Sequence, residues 1–437
     1  MTGVRTARAP TRRPLHGWLA AEALSLTGTR VSMIALPLFV LETTGSATRT
    51  GLVALAETLP LVLCKVLGGP LIDRVGARQV AVRCDLASWL VVASIPLLYD
   101  AGVLGFPLFL ALVAVAGALR GPGDAAKQAL MPALAASTGV PVERATGLAS
   151  TVERTASMLG AGAAGLLVAG VGAARALYVD ALSFALSALV LAWATRRMAS
   201  PGSTDARGVA TGGAPAAEPL GAVRYLAQLR EGWDFLRGDR VLLGIAVMVA
   251  LTNLLDVSYA TVLMPVWSVE SGSGARVLGL VFAVFSGASA LGALTAAAWA
   301  SRLPRYRTYL IAFLVCGAPR FVVMALDAPV AAILGVAAAG GLASGFINPV
   351  LGAVIFERIP GPLVGRVSSL TTALAFALMP FGGLVGGLLI GAGGLSFAMV
   401  VCGAAYLLVT MLPAVDPRWR EMDGRPSPSA APDPACP

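Results

Sequence analysis

Apolar residues along this chain do not form the narrow stripe that a helix in water shows at every third or fourth position. They form long, nearly unbroken runs near 18–41, 50–72, 79–99, 103–122, 145–170, 173–195, 241–267, 277–300, 307–326, 329–355, 366–391 and 394–414. Short polar connections separate them. A helical crossing of a bilayer needs about 20 consecutive apolar residues, and every run meets that length to within a few residues. The pattern predicts an all-α integral membrane protein with twelve transmembrane helices.

Composition agrees with a lipid solvent. The 437 residues are 57% hydrophobic and only 13% charged, against about 25% charged in soluble domains. The net charge of +9 suggests a nucleic-acid footprint until its placement is followed. With the N-terminus inside, one set of alternate connections and ends holds Arg5, Arg8, Arg12, Arg13, Arg74, Arg78, Arg83, Lys127, Arg144, the arginines of 196–240, Arg302, Arg305, Arg307, Arg358, Arg366, Arg418, Arg420 and Arg425. The opposite loops hold Arg49, Arg175 and Arg276. That asymmetry is the positive-inside bias of membrane proteins. It predicts a multi-pass protein of the cell (plasma or inner) membrane with both termini cytoplasmic, and it removes nucleic acid as a partner. The opening arginines resemble the start of a signal peptide, but the following run is too long and ends in no cleavage pattern, so the first helix is expected to stay. The five cysteines show no paired spacing, so neither a metal site nor a disulfide framework is expected.

The runs divide at the longest polar connection. The expected domains are a cytoplasmic tail (1–17), a first six-helix half (18–195), a linker (196–240), a second six-helix half (241–414) and a disordered tail (415–437). The linker opens Gly/Ala/Pro-rich and closes with "VRYLAQLREGWDFLRGDR", where leucines and Trp233 alternate with arginines as in an amphipathic helix at a membrane surface. The halves repeat. "ALPLFVLETTGSATRTGLV" (35–53) matches "LMPVWSVESGSGARVLGLV" (263–281), and Arg144, Leu148, Gly160 and Gly165 match Arg366, Leu370, Gly382 and Gly387. Two duplicated six-helix halves are a mark of secondary transporters, which bind substrate where the halves meet.

The connection between the second and third runs carries Gly69, Asp73, Arg74, Gly76 and Arg78 in the spacing G-x-x-x-D-R-x-G-x-R. Here the chain resembles the major facilitator superfamily, whose signature loop stands at this place. The phrases "ALPLFVLETTGSATRTGL", "KQALMPAL", "YVDALSFALSALVL", "EGWDFLRGDRVLLG" and "ERIPGPLVGRVSSL" are similar to its macrolide-efflux and enterobactin-exporter-like drug exporters. The resemblance implies that Asp73 grips the start of the eleventh helix near Arg366 in one state of an alternating-access cycle. It further implies a mostly monomeric transporter, and with no metal or nucleotide motif in the chain no cofactor is expected. The second copy of the loop has Ser301 where the aspartate would stand. The fifth helix carries Gly160-Ala161-Gly162-Ala163-Ala164-Gly165 where antiporter relatives have G-P-x-x-G-G. Small residues at that spacing still permit close packing, as they do at Gly382 and Gly387. Arg120, followed by Gly121 and Gly123, is a loose form of the family's arginine motif.

Charges inside the apolar runs are costly, at about 2.5–3.5 kcal/mol or more each, and mark function by default. Glu22, Arg30, Glu57, Arg120, Glu153 and Asp256 are the candidates for proton coupling or substrate contact. Lys65, Arg154, Asp180 and Arg320 read as packing or neutralising partners. Estimated depths place Glu22 with Lys65 and Arg30 with Glu57 as two opposed pairs on adjacent helices. A single histidine, His16, and the absence of a Gly-Lys-Ser/Thr phosphate loop argue against a metal enzyme and against ATP drive. The sequence therefore predicts a proton-coupled exporter of a lipophilic or amphipathic small molecule, with protons, the bilayer and that substrate as its partners. An uptake symporter is the alternative within the fold. A non-transporting scaffold or receptor is the alternative outside it.

Overall fold

The structure is a computed structural model that describes residues 13–196, 222–299, 302–360 and 363–423. Among these, helices are the only regular elements. Eleven stretches are long and apolar enough to cross a membrane: Arg13–Thr44, Ala47–Leu67, Ala77–Asp100, Phe106–Thr138, Arg144–Val171, Ala173–Ala194, Arg240–Glu270, Gly274–Trp299, Arg305–Ala325, Val330–Ile355 and Arg366–Val415. We call them spans one to eleven. A helix satisfies its own backbone groups, which lipid cannot do. Spans one, two, three and four continue through interior prolines at Pro37, Pro60, Pro96, Pro122 and Pro132, since breaking the helix in lipid would expose more backbone groups than one proline frees.

Three features differ from the sequence expectation. Span four does not end near residue 122 but continues through Pro122 and Pro132 to Thr138, so Lys127 belongs to a helix and not to a polar loop. The stretch Arg366–Val415 is 50 residues, which as one straight helix would measure about 75 Å against a hydrocarbon layer of about 30 Å. It does not run straight: a 3-10 turn occupies Met379–Phe381 and Gly394 is non-helical at φ 80°. Finally, the region expected to be a disordered tail begins as the 3-10 helix Pro417–Asp423, with Trp419 and Met422 buried; residues 424–437 lie outside the described residues. So does the Gly/Pro-rich part of the linker, whereas its second part forms the helix Ala222–Gly238.

The chain clusters into two compact units. The first comprises Met1–Gly213 with Met264–Ala283, the second Ala214–Leu263 with Val284–Pro437. Within the first, span one packs on spans five and six, span two on span four, and span three on spans four and six. Glycines set the closest of these approaches. A Cβ on Gly121 of span four would lie 2.7 Å from the Lys65 nitrogen of span two, and one on Gly165 of span five would lie 2.8 Å from Gly279 Cα. No larger residue fits at such points. Within the second unit, span seven packs against both parts of the last span, and span nine against span ten. Asp239 caps span seven, accepting from the amides of Val241 and Leu242 at 3.0 and 3.1 Å. The same carboxylate receives Arg358 at 2.8 Å, and Arg358 also reaches Glu421 of the 3-10 helix at 3.2 Å. Burial alone would lower the pKa of the Arg358 guanidinium; the hydrogen bond and charge of Asp239, then those of Glu421, outweigh it and raise the pKa.

Candidate functional site

The close approach of spans two and four brings Glu57 and Arg120 together, and they form an ion pair at 2.9 Å with both side chains largely enclosed. Asp180 of span six stands on the same small cavity, which has space for about one water. Ser32, Leu36, Val113 and Phe184 are among its other walls. Asp180 is 2% exposed and accepts hydrogen bonds from Ser32 and, at 3.4 Å, from Ser183. Two carboxylates thus share one cavity with a single guanidinium. This corrects the expected pairing of Glu57 with Arg30. Arg30 instead donates to Ser157 at 2.7 Å and lies against Gly160, where a Cβ would be 3.2 Å from Arg30 Cγ. The error is rotational. Each residue turns a helix face by about 100°, so matching depth on two helices does not decide which side chains face each other.

A second buried pair joins four spans of the first unit. Lys127 Nζ lies 3.0 Å from Asp85 and donates to Ser25 at 3.0 Å. Ser187 donates to the same carboxylate at 2.7 Å, and the Trp18 indole donates to the Lys127 carbonyl at 3.0 Å. Neither Asp85 nor Lys127 was singled out from sequence. Asp85 lies inside the third apolar run, whereas Lys127 lies beyond the end of the fourth run at 122, where a polar connection was expected. The expected partner of Glu22, Lys65, is exposed at the end of span two, and no ion pair joins them among the described residues. Glu22 is half-buried one turn before Ser25, while Glu153, Arg154 and His16 are exposed.

In the second unit Asp256 of span seven pairs with Arg320 of span nine. The guanidinium carbon stands 4.6, 4.9 and 5.0 Å from the ring centres of Tyr259, Phe321 and Tyr406. Arg320, expected to be peripheral packing, is therefore the partner of a candidate site residue. Gly382 lies against span seven, where a Cβ would meet Val257 Cβ at 2.8 Å, and Gly387 is buried.

The loop between spans two and three folds as a short helix, Gly69–Val75, closed by Gly76 at φ 94°, a conformation that favours glycine. Asp73 and Arg74 are exposed. Arg78 donates to Thr195 Oγ1 at 2.8 Å and to the Ala192 carbonyl at 3.0 Å, satisfying acceptors that the end of span six leaves without helical partners. Arg366, expected to meet Asp73, pairs in the second unit with Glu231 of the linker helix. Gly232 allows that contact, since a Cβ there would lie 3.3 Å from Arg366 Cβ.

A family model described as Major Facilitator Superfamily matches residues 18–275 and 246–432. The chain belongs to this superfamily. Over 418 residues it is 29% identical to the multidrug efflux pump Tap of Mycobacterium tuberculosis (strain ATCC 25618 / H37Rv), covering 95% of this chain and 96% of that protein. Over 416 residues it is 30% identical to the multidrug efflux pump Tap of Mycolicibacterium fortuitum, covering 94% and 98%. The fold is shared with the nucleoside transporter NupG, with a TM-score of 0.70 at 13% identity over 91% of this chain and 98% of that one. A bacterial homologue of the iron transporter ferroportin, in an inward-facing state, gives 0.65 at 15% identity over 94% and 99%. This superfamily member is a multi-pass membrane transporter and not an enzyme.

Proposed function

We propose that this transporter is a proton-coupled exporter of a lipophilic or amphipathic small molecule, working by alternating access in the cell membrane. The observation that carries the coupling is the cavity shared by Glu57, Arg120 and Asp180. One guanidinium neutralises one of the two carboxylates, and the other has hydroxyl donors but no second cation among the residues lining that cavity. A charge left over in low dielectric is expensive, and one proton removes it. The relatives named multidrug efflux pumps support the outward direction and a drug-like substrate. The remaining walls of the cavity are mostly apolar.

In this reading the stretch Arg366–Val415 crosses twice, with its turn at Gly394. That gives twelve crossings, and both termini lie in the cytoplasm. The protein acts as a monomer, and Asp73 meets the start of the eleventh crossing in another state of the cycle. One proton moving down 100 mV yields about 2.3 kcal/mol and one pH unit adds about 1.4 kcal/mol. Together they sustain a several-hundredfold gradient of a neutral solute.

The test uses inverted membrane vesicles energised to an acidic interior, with macrolides, tetracyclines, lipophilic cations and siderophores added in turn. Recovery of a pH-sensitive dye on addition of a compound, lost in Glu57→Gln or Asp180→Asn, is the expected result. Recovery unchanged in both variants would overturn the assignment of coupling to this cavity.

A further inference from the structure

The second unit contains a charged pair that the proton-coupling reading does not use. Asp256 and Arg320 join spans seven and nine, and their surroundings are unequal. The carboxylate side chain is 41% exposed, whereas the guanidinium is 14% exposed. Behind the guanidinium stand Tyr259, Phe321 and Tyr406, two of which also contact each other edge to face at 5.1 Å. Arg320 Nε is buried and has no hydrogen-bond partner among the described residues. Asp256 and the faces of three rings therefore hold this cation.

The backbone next to the pair is irregular. Immediately after it, span seven changes to a π-helical turn over Tyr259–Leu263. π turns inside α-helices are rare and cluster at functional places. The Tyr259 amide bonds back to the carbonyls of Leu255 and Asp256, and the Tyr259 ring faces Arg320. Asp256 and Tyr259 thus fix the entrance of the turn from its backbone and from both flanking side chains. At Leu263, its last residue, the chain leaves the second compact unit.

We propose that Arg320 is a positioning residue for transport: with Asp256 it forms one permanently paired, neutral unit that fixes the π turn of span seven. Asp256 is then not the residue that carries a coupling proton. Protonating it would leave the enclosed Arg320 cation among three rings with no anion beside it, and stranding an enclosed charge is strongly destabilising. The other titratable groups around the pair are Tyr259 on span seven, Cys316 on span nine, and Cys402 and Tyr406 on the last span. None of them is a carboxylate that would replace Asp256. The inference concerns the second unit, and it rests on the transport reading only for its activity readout.

Two variants test it, both measured as purified full-length protein for monodispersity and in vesicles for transport. Arg320→Gly opens the box between the rings, and transport falls by about tenfold or more; guanidinium chloride, added below denaturing concentration, restores it. Asp256→Asn/Arg320→Gln replaces the ion pair by two amides that can still hydrogen-bond between spans seven and nine, so the turn stays fixed without a stranded charge, and proton-coupled transport stays within about threefold of wild type with the same pH profile. A folded double variant that still binds compound but moves no protons would overturn the proposal, since Asp256 would then be the proton carrier. So would a folded Arg320→Gly that guanidinium does not rescue. If Arg320→Gly does not fold, the double variant decides alone. If the wild type moves no protons with any compound, the export reading fails separately. The pair is then judged by unfolding, with the double variant expected to be more stable than Asp256→Asn.

Discussion

Asp85→Asn keeps the shape of the side chain and the acceptor that Ser187 uses, but it removes the charge that Lys127 faces. In the native protein the two charged atoms are 3.0 Å apart, with side chains only 2% and 5% exposed. At that distance the Coulomb attraction is about 5.5 kcal/mol for an effective dielectric of about 20. Breaking such a pair by removing one partner costs about 3–5 kcal/mol, because the other charge remains enclosed. Ser25 still accepts from the ammonium, which puts the expected loss near the lower end, about 3 kcal/mol. Asp85→Asn/Lys127→Met leaves no stranded charge and is expected to lose under about 1.5 kcal/mol relative to the native protein. The assay is unfolding of the purified protein in mixed micelles over a denaturing-detergent series, with both single variants and the double. A single-variant loss below about 1 kcal/mol, or a double-variant loss equal to the sum of the singles, would refute the reasoning.

Four further outcomes follow from particular residues. Gly165→Leu forces a side chain into the backbone of Gly279 and the Ala275 carbonyl, 2.8 and 2.6 Å from the position of a Cβ. It should cost about 1–3 kcal/mol or more, read as lost transport and earlier thermal inactivation, while Gly147→Ala, with open space around it, should do neither. Asp239→Ala removes the cap of span seven and strands Arg358 on one partner, Glu421. A loss of about 1–2 kcal/mol is expected in the same unfolding series, and Asp239→Asn should recover most of the capping share. Arg78→Met frees two acceptors at the end of span six and should lower stability by about 1–3 kcal/mol. Asp73→Asn, at an exposed position, should leave stability unchanged and abolish transport.

How far the fold was legible in the chain depends on what kind of information each feature uses. Most apolar runs match the spans to within about five residues, because the lipid requirement acts on composition over about 20 residues at a time, whereas the fourth run stops well short of Thr138 and the last two fall in the one stretch Arg366–Val415. The glycine pairs Gly160/Gly165 and Gly382/Gly387 read as sites of close helix approach, and a Cβ on Gly165 or Gly382 would meet neighbouring backbone. Lys127 was misplaced because Gly121-Pro122-Gly123 reads as a helix stop in water, whereas span four passes through it; lipid favours continuing the helix over exposing backbone groups. Trp419 in the C-terminal segment was the one local signal against disorder, and it packs 5.7 Å from the Tyr309 ring. Pairings were the least legible. Depth along a helix is counted from sequence, but facing is not. Glu57 therefore met Arg120 and not Arg30, and Asp256 met Arg320, which no periodicity connects. Glu231 on Arg366 was equally hidden, since the two residues belong to elements that sequence separates by more than a hundred positions.

The central claim is that this transporter moves an apolar or amphipathic compound at the expense of a proton gradient. The most direct measurement uses the purified protein in liposomes free of nucleotide, with the compound that gives the largest dye response in vesicles. An acidic interior should drive accumulation of the compound inside, roughly tenfold per pH unit for one proton exchanged for one neutral molecule. A proton ionophore should abolish it, and Glu57→Gln should reduce it to the level of empty liposomes. Accumulation that persists after the ionophore, or that appears with no gradient imposed, would contradict the account.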